Sequence, residues 1–256
     1  MKEAVICVDH VDKAFGTKQV LQDINMEIGR GEIYGLLGPS GCGKTTLVKI
    51  MSGMLAATAG TVTVLGQKVP SMQTLQQIGY MAQSDALYLD LTARENLEFF
   101  GQIYGVPKSL LAERMQATMG MVNLLKDLDV PVRSYSGGMK RRLSLAGTLL
   151  HNPELILLDE PTVGIDPLLR QQIWVELRKL AAGGTTIVLT THVMDEAEKC
   201  HRLAMMRDGR IIAQDTPAAL MRATGTTTIE DAFIYYGGGG YGGTGIDAAH
   251  SASDEA

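Results

Sequence analysis

The chain has 256 residues, of which 45% are hydrophobic and 20% are charged, as expected for a globular protein with a substantial core. Its net charge of −5 provides no basic face for a nucleic acid, so nucleic acids are not expected as partners. No stretch reaches the roughly 18 consecutive apolar residues of a membrane-spanning helix, and the first residues do not resemble a signal peptide. We therefore expect a cytoplasmic protein that reaches a membrane only through a partner.

The three cysteines, Cys7, Cys42 and Cys200, are an odd number and lie far apart in the sequence. Disulfide frameworks and zinc sites both use paired spacings, so neither is predicted. Reduced thiols are the simpler interpretation.

The first part of the chain predicts a small antiparallel sheet. Residues 5–11 and 20–28 are β-rich runs, and residues 61–65 are expected to extend the same sheet. Between them, residues 32–37 are mostly apolar and are predicted to form a buried strand.

A segment of different character lies at about 87–150, where helical patterns replace strands. Thr92-Ala93-Arg94-Glu95 has the spacing of a capping box, which marks a helix start. Apolar side chains then recur at helical intervals, at Leu97, Phe100, Ile103 and Tyr104. This stripe fits core packing, or else a groove that receives a helix of a partner.

The last third returns to strands. Residues 155–158 and 186–190 are further buried apolar runs, and Asp208-Gly209 between two β-rich runs predicts a hairpin. Alternation of strands and helices indicates an α/β domain with a mostly parallel sheet. From residue 237 to 256 the chain is rich in glycine and small polar residues, so we expect a disordered tail.

A phosphate-binding loop follows the first buried strand and precedes a helical run. Its residues are Gly38-Pro39-Ser40-Gly41-Cys42-Gly43-Lys44-Thr45-Thr46, which match G-x-x-x-x-G-K-[ST]. The glycines let backbone N–H groups point at phosphate oxygens, and the helix start adds its dipole. Lys44 is expected to reach the β- and γ-phosphates and Thr45 to bind Mg²⁺. Cys42 is either a functional thiol or, more simply, a small residue at a variable position.

Two carboxylates end the buried strand at 155–158. Asp159 is expected to hold Mg²⁺ opposite Thr45, because ligands of open α/β sheets gather at the carboxyl edge. Glu160, one residue further on, is a candidate general base for the attacking water. Together with the phosphate loop, this pair predicts hydrolysis of a nucleotide.

A further motif stands just before the acidic strand. Its residues are Ser134-Tyr135-Ser136-Gly137-Gly138-Met139-Lys140-Arg141-Arg142. This run resembles the signature motif of ATP-binding cassette (ABC) proteins, with tyrosine for the usual leucine and methionine for glutamine. Other elements of that family occur in its order, namely Phe15 as adenine-stacking aromatic, Gln83 as Q-loop glutamine, 160–166 as strand end and D-loop, and His192 as switch histidine. The chain is identified as a member of the ABC ATPases.

The resemblance implies a P-loop NTPase core with a mostly parallel sheet, an N-terminal antiparallel β subdomain and an inserted α-helical subdomain. The ABC ATPase domain is expected to span 1–236. In the family, two ATPase subunits form a head-to-tail dimer, here a homodimer or a pseudo-symmetric pair. Each subunit's signature motif completes the partner's ATP site.

Residue roles are carried over by the same resemblance. Ser136, Gly137 and Gly138 are expected to contact the partner's ATP, since they begin a helix with free N–H groups. Asp166 is expected to run along the dimer seam. The substitution at Met139 puts in doubt a contact that glutamine makes in other members.

The remaining implied roles belong to the chain's own ATP site. Glu160 positions water, His192 contacts the γ-phosphate, and Gln83 contacts Mg²⁺ and water while leading into the helical segment. Phe15 stacks on adenine, although plain core packing is a competing role for it.

The sequence also resembles one branch of the family, the ATPases that pair with separate six-helix permeases of the type-2 exporter class. The signature, the D-loop, residues 92–97 and residues 228–234 carry this resemblance. It implies a subunit that powers export from the cytoplasmic face of a membrane, with a permease docked near 84–104. The alternative is an ABC ATPase of translation or DNA repair. A third class, an ATP-gated binding module, would not need Glu160.

Overall fold

The computed structural model describes residues 3–84 and 86–238. The predicted tail at 237–256 lies outside this part of the chain from residue 239 onward, so its predicted disorder stays a prediction. The assignment of 1–236 to a single ATPase domain, with a helical subdomain at about 87–150, also stays a prediction, although helices do occupy that segment.

Ten strands occur in the described ranges. In chain order they are β1 (Ala4–Phe15), β2 (Lys18–Gly29), β3 (Ile33–Leu37), β4 (Ala59–Val64), β5 (Gln67–Lys68), β6 (Ile78–Met81), β7 (Leu155–Asp159), β8 (Thr186–Thr191), β9 (Arg202–Arg207) and β10 (Arg210–Asp215). They form a four-stranded sheet with the order β2-β1-β4-β5 and a six-stranded sheet with the order β10-β9-β3-β8-β7-β6. The first sheet is antiparallel, and the second is parallel except for the β9–β10 hairpin.

The same ranges contain nine α-helices. They are α1 (Lys44–Met51), α2 (Met72–Gln77), α3 (Ala93–Ile103), α4 (Lys108–Met121), α5 (Gly137–Leu149), α6 (Pro167–Ala182), α7 (Met194–Ala197), α8 (Pro217–Thr224) and α9 (Ile229–Tyr236). Two short 3₁₀ turns, Leu125–Asp127 and Val132–Ser134, connect α4 to α5. Among these helices none has the length and apolar character that crossing a bilayer would require.

The parallel sheet is buried on both faces. Along β3, Ile33 and Leu37 belong to one core cluster, while Tyr34 and Leu36 belong to the other. Side chains of a strand alternate between faces, so a strand covered on both sides needs apolar residues at every position. This requirement explains the continuous apolar runs of the sequence, and the α/β fold predicted from them is confirmed.

The antiparallel prediction for the N-terminal segment is also confirmed. β1 pairs with β2 and with β4, and a core cluster fills the space between this sheet and the parallel sheet. The hairpin predicted at Asp208-Gly209 joins β9 to β10. β6 was not predicted, and it forms the edge of the parallel sheet beside β7.

Helices α3, α4 and α5 lie between β6 and β7 in the chain. The capping box that starts α3 forms as predicted, because the Glu95 N–H donates to Thr92 Oγ1 at 3.1 Å and the Thr92 N–H donates to Glu95 Oε2 at 2.7 Å. The apolar stripe of α3 has two roles. Leu97 is buried in the core and Phe100 packs partly against it. Phe100 and Tyr104 line a surface groove, and Ile103 is 60% exposed.

Candidate functional site

The predicted phosphate loop connects β3 to α1. Gly41 and Gly43 have φ angles of 81° and 110°, which glycine adopts without a Cβ penalty. Gly38 packs so tightly against the Met206 carbonyl and the Cys42 thiol that no side chain fits there. The loop therefore holds a fixed curve, and burial of Cys42 within it raises the pKa of that thiol.

Lys44 is the first residue of α1, and its side chain lies inside the loop. Lys44 Nζ donates to the Gly38 carbonyl at 2.6 Å and to the Pro39 carbonyl at 3.0 Å, and only 6% of the residue is exposed. No side chain caps the start of α1, so its first N–H groups are available to an anion. A buried ammonium group and free N–H groups at one point favour a phosphate there.

The carboxyl ends of β7 and β8 hold the acidic pair. The hydroxyl of Thr190 donates to Asp159 Oδ1 at 2.5 Å and accepts the Glu160 N–H at 3.0 Å. Asp159 is 1% exposed, and its Oδ2 has no hydrogen-bond partner among the described residues. Thr190 therefore sets the orientation of the Asp159 carboxylate and leaves one of its oxygens for another ligand.

Glu160 lies at the centre of three predicted catalytic residues. Its Oε1 lies 2.9 Å from His192 Nδ1, and Gln83 Nε2 donates to its Oε2 at 3.5 Å. Its backbone φ of 51° is in the left-handed region, which is uncommon for a residue with a side chain. The structure thus brings Gln83, Glu160 and His192 together, although they are distant in the sequence.

Two cavities join Gln83 and the acidic pair to the phosphate loop. One, of about 250 Å³, is lined by Ser40, Gly41, Gly43, Lys44, Thr45, Thr46, Gln83 and Glu160, together with Val20. The other, of about 280 Å³, is lined by Thr45, Gln83 and Asp159, with Lys49, Tyr80, Ala82 and Ser84. Thr45 and Gln83 border both cavities, so the loop and the acidic edge form one continuous site.

The signature residues lie elsewhere. Ser136 caps α5 by accepting the Met139 N–H at 3.2 Å, and its hydroxyl proton remains available to donate. Gly138 approaches the Gly164 carbonyl so closely that an added Cβ would lie 3.0 Å from it. Asp166 caps α6 by accepting the Leu169 N–H at 3.0 Å. The signature and the D-loop are therefore neighbours, and neither lines the two cavities.

Comparisons with known proteins identify the family. The family model described as ABC transporter matches residues 21–163, more than half of the chain. The Nod factor export ATP-binding protein I of Paraburkholderia xenovorans (strain LB400) is 42% identical over 224 residues, which cover 86% of this chain and 74% of that protein. The chain belongs to the ABC transporter family.

Solved structures agree with this assignment. An ATP-binding subunit of an ABC transporter superposes with a TM-score of 0.85 at 25% identity and covers 91% of this chain and 99% of its own. A dimer of an ATP-binding cassette in a post-hydrolysis state, bound to ADP and Pi, gives 0.76 at 27% identity and covers 82% and 98%. This ABC protein is the ATP-binding, ATP-hydrolysing subunit of a transporter, as the sequence predicted.

The two departures from the usual ABC signature have structural explanations. Tyr135 is buried and donates its hydroxyl to the Asp127 carbonyl at 2.7 Å, and burial raises its pKa to about 12. Met139 packs its side chain against the core. Both side chains therefore pack within the helical part of this ABC ATPase.

Phe15 is the least supported of the predicted site residues. It lies at the end of β1 and is 51% exposed. Lys13 Nζ lies over its ring, 4.8 Å from the centroid. The exposure argues against the competing core role. An exposed ring is available for stacking on a base, and its role in adenine binding stays a prediction.

Three groups of contacts around this site were not predicted. The Thr190 hydroxyl makes the first, and the Arg141 guanidinium makes the second. The third is Glu196, 2% exposed, whose carboxylate accepts the hydroxyls of Thr191, at 2.8 Å, and of Thr162. Thr191 precedes His192, Glu196 follows it and Thr162 lies just before the D-loop, but sequence alone gave no signal that their side chains meet.

Proposed function

We propose that this chain powers the export of a substrate across a membrane through a separate permease, from the cytoplasmic face. Two such chains would act as a head-to-tail dimer with two shared ATP sites. Relatives named for Nod factor export support the export direction, and the structural likeness to a dimeric cassette supports the pairing. The convergence of Lys44, Asp159, Glu160 and His192 at one edge carries the hydrolytic part of the proposal.

One chain carries two separate parts of an ATP site, and they lie at different places on its surface. The phosphate loop and acidic edge form a site for the phosphates, whereas Ser136, Gly137 and Gly138 present N–H groups and a hydroxyl at an exposed helix start. The signature does not line the chain's own cavities, so its free donors suit the phosphates of a partner's ATP. A two-fold dimer satisfies both halves at once, with Asp166 near the seam.

The residues present fit a magnesium ion. Asp159 Oδ2 is a buried carboxylate oxygen without a partner in the described structure, and it belongs to the cavity that Thr45 and Gln83 also line. Mg²⁺ typically takes one or two carboxylates and completes its shell with phosphates and water. Thr45, Asp159 and Gln83 would hold the ion, which would neutralise charge that develops on the phosphates.

Glu160 is proposed as the general base. Its carboxylate is within hydrogen-bond distance of both His192 and Gln83, so its position is fixed while it orients the attacking water. Lys44 holds the phosphates by charge, and His192 reports the γ-phosphate to the Glu160 carboxylate. Most of the catalysis is then positioning and electrostatic stabilisation, as is general for phosphoryl transfer.

A groove next to Gln83 suits the permease. Its volume is about 330 Å³, and it is lined mostly by apolar residues, among them Met54, Leu87, Phe100 and Tyr104. The groove lies between the helical segment and β6, directly beside the loop that carries Gln83. A permease helix in this groove would sense movements of that loop, which gives hydrolysis a route to the membrane partner.

The hydrolytic proposal is tested with Glu160→Gln. This variant should bind ATP, form a dimer detectable by light scattering, and lose nearly all Mg²⁺-ATPase activity. The control is Glu154→Gln, which alters the residue just before β7, at the end of the strand away from the site. It should hydrolyse ATP at the wild-type rate. Wild-type turnover in Glu160→Gln would remove Glu160 from the base role.

The docking proposal is tested with Met54→Glu. Met54 is 51% exposed in the groove, so a charge there should abolish co-purification of an integral membrane protein from gently solubilised membranes while the isolated ATPase keeps its activity. Met72→Glu, which is 77% exposed and outside the groove, is the control. Co-purification of ribosomal or DNA-bound proteins instead would favour the translation or repair alternative.

A further inference from the structure

Arg141 is a buried cation in the helical segment. It lies on α5 within the signature run at 134–142, five residues after the N-cap Ser136, and is 6% exposed. One guanidinium nitrogen, Nη1, donates to the carbonyls of Ala82, at 2.7 Å, and Gln83, at 2.9 Å. The other, Nη2, donates to the carbonyls of Asp159 and of Glu160, the latter at 2.7 Å.

These four carbonyls belong to the two loops that carry the catalytic side chains. Ala82 and Gln83 directly follow β6, while Asp159 ends β7 and Glu160 follows it. Carbonyls at such strand ends have lost the ladder partners of the sheet, and buried ones need another donor. The planar fork of a guanidinium presents two separate nitrogens to two loops at once, whereas a lysine has all its donors on a single nitrogen.

The hydrogen bond from Arg141 to the Glu160 carbonyl helps to hold a residue with a strained backbone. Glu160 has a φ of 51°, a conformation that a non-glycine residue adopts only when its surroundings impose it. Thr190 fixes its N–H and Arg141 fixes its carbonyl oxygen. The peptide groups on both sides of Glu160 are therefore held, and together they aim its side chain.

We propose that Arg141 is a positioning residue that links the signature helix to the Glu160 and Gln83 loops of the same chain. Ser136 begins the helix that carries Arg141, so engagement of the signature by a partner's ATP is transmitted to the base of the chain's own site. The inference rests on the proposed roles of Glu160 and of the signature. In a dimer, Arg141 would thus couple ATP binding at one site to the position of Glu160 at the other.

Arg142 provides a matched control. It is the next residue on α5 and also donates to carbonyls, at 2.9 Å to Val122, 3.2 Å to Asn123 and 3.3 Å to Gly138. All three carbonyls lie within the helical segment. Replacing either arginine by lysine removes the fork and keeps the charge. A purely structural role of Arg141 would make the two variants alike.

The experiment compares Arg141→Lys and Arg142→Lys by ATPase kinetics and thermal unfolding. Arg141→Lys should lower kcat about tenfold or more, the range seen when a supporting contact of a catalytic group is lost, and leave KM for ATP within about twofold. Arg142→Lys should keep kcat within about twofold at a similar loss of Tm. Arg141→Lys should also accumulate an ATP-bound dimer, because binding is retained while hydrolysis is slowed.

Three results would overturn the inference. These are wild-type kcat in Arg141→Lys, equal loss of kcat in both lysine variants, or a rise in KM with unchanged kcat. Glu160→Gln, measured alongside, separates the two levels of the argument. If it hydrolyses ATP normally, the role of Glu160 fails and this inference with it; if it is inactive while Arg141→Lys is fully active, only the inference fails.

Discussion

Thr190→Val tests the acidic edge of the site most directly. The Thr190 hydroxyl makes two bonds, to Asp159 Oδ1 at 2.5 Å and to the Glu160 N–H at 3.0 Å. Valine has nearly the same shape but no hydroxyl, so the substitution removes both bonds without opening a cavity. Because Asp159 Oδ2 already lacks a partner in the described structure, the variant leaves both oxygens of a buried carboxylate without one.

The expected effect has two parts. A buried polar group that loses its only partner costs about 1–3 kcal/mol, and each kcal/mol lowers the Tm of a chain of this size by about 2–4 °C. Contacts that orient a metal ligand are typically worth about 10–100-fold in metal affinity or activity. Thr190→Val should therefore unfold at a lower temperature and need about 10–100 times more Mg²⁺ for half-maximal hydrolysis.

The assay is ATPase activity against Mg²⁺ concentration at saturating ATP, with Tm measured in parallel. Thr190→Ser, which keeps the hydroxyl, should stay close to wild type in both. The reasoning is refuted if Thr190→Val shows wild-type Mg²⁺ dependence. Equal shifts in the valine and serine variants would also refute it, because the serine variant keeps the hydroxyl.

Three further outcomes follow from the geometry. Gly38→Ala should lower ATP affinity at least tenfold in a binding titration, because its Cβ would press on the Met206 carbonyl and the loop would have to shift. Tyr135→Phe should destabilise the protein by about 1 kcal/mol in denaturant unfolding through the lost bond to the Asp127 carbonyl, and keep ATPase activity. Burial lowers the pKa of His151 from 6.5 to about 4. Between these two pH values His151 is protonated in the unfolded chain and neutral in the folded chain. Wild-type stability should therefore fall as pH drops from 6.5 toward 4, by at most about 1.4 kcal/mol per pH unit, and His151→Phe should fall less.

Patterns that act locally were readable from the sequence. The apolar run of β3 predicts a strand because a doubly covered strand needs apolar side chains on both faces. The capping box at Thr92 and the Asp208-Gly209 hairpin depend only on neighbouring residues. The phosphate loop combines a strand, glycines and a helix start within a few residues, so its geometry followed from its spacing.

Features that depend on distant parts of the chain were not readable. β6 has four residues, one of them a glycine, and it exists because β7 supplies its ladder partners. Arg141 stands in a Lys-Arg-Arg run that by itself suggests a solvated surface, yet folding buries it against two loops. Thr190 looks like an ordinary β-branched strand residue until the sheet register sets it beside Asp159.

The exposed start of α5 implies that the rate of ATP hydrolysis per chain depends on the protein concentration. In the proposed dimer each ATP site is completed by a second molecule, so turnover per chain should fall on dilution of the isolated ATPase. A permease that held two copies side by side would replace this encounter with a tethered one at a high effective concentration. The permease would then assemble the two ATPase subunits as well as carry the substrate. ATP hydrolysis would be fastest where the subunits are bound to a permease.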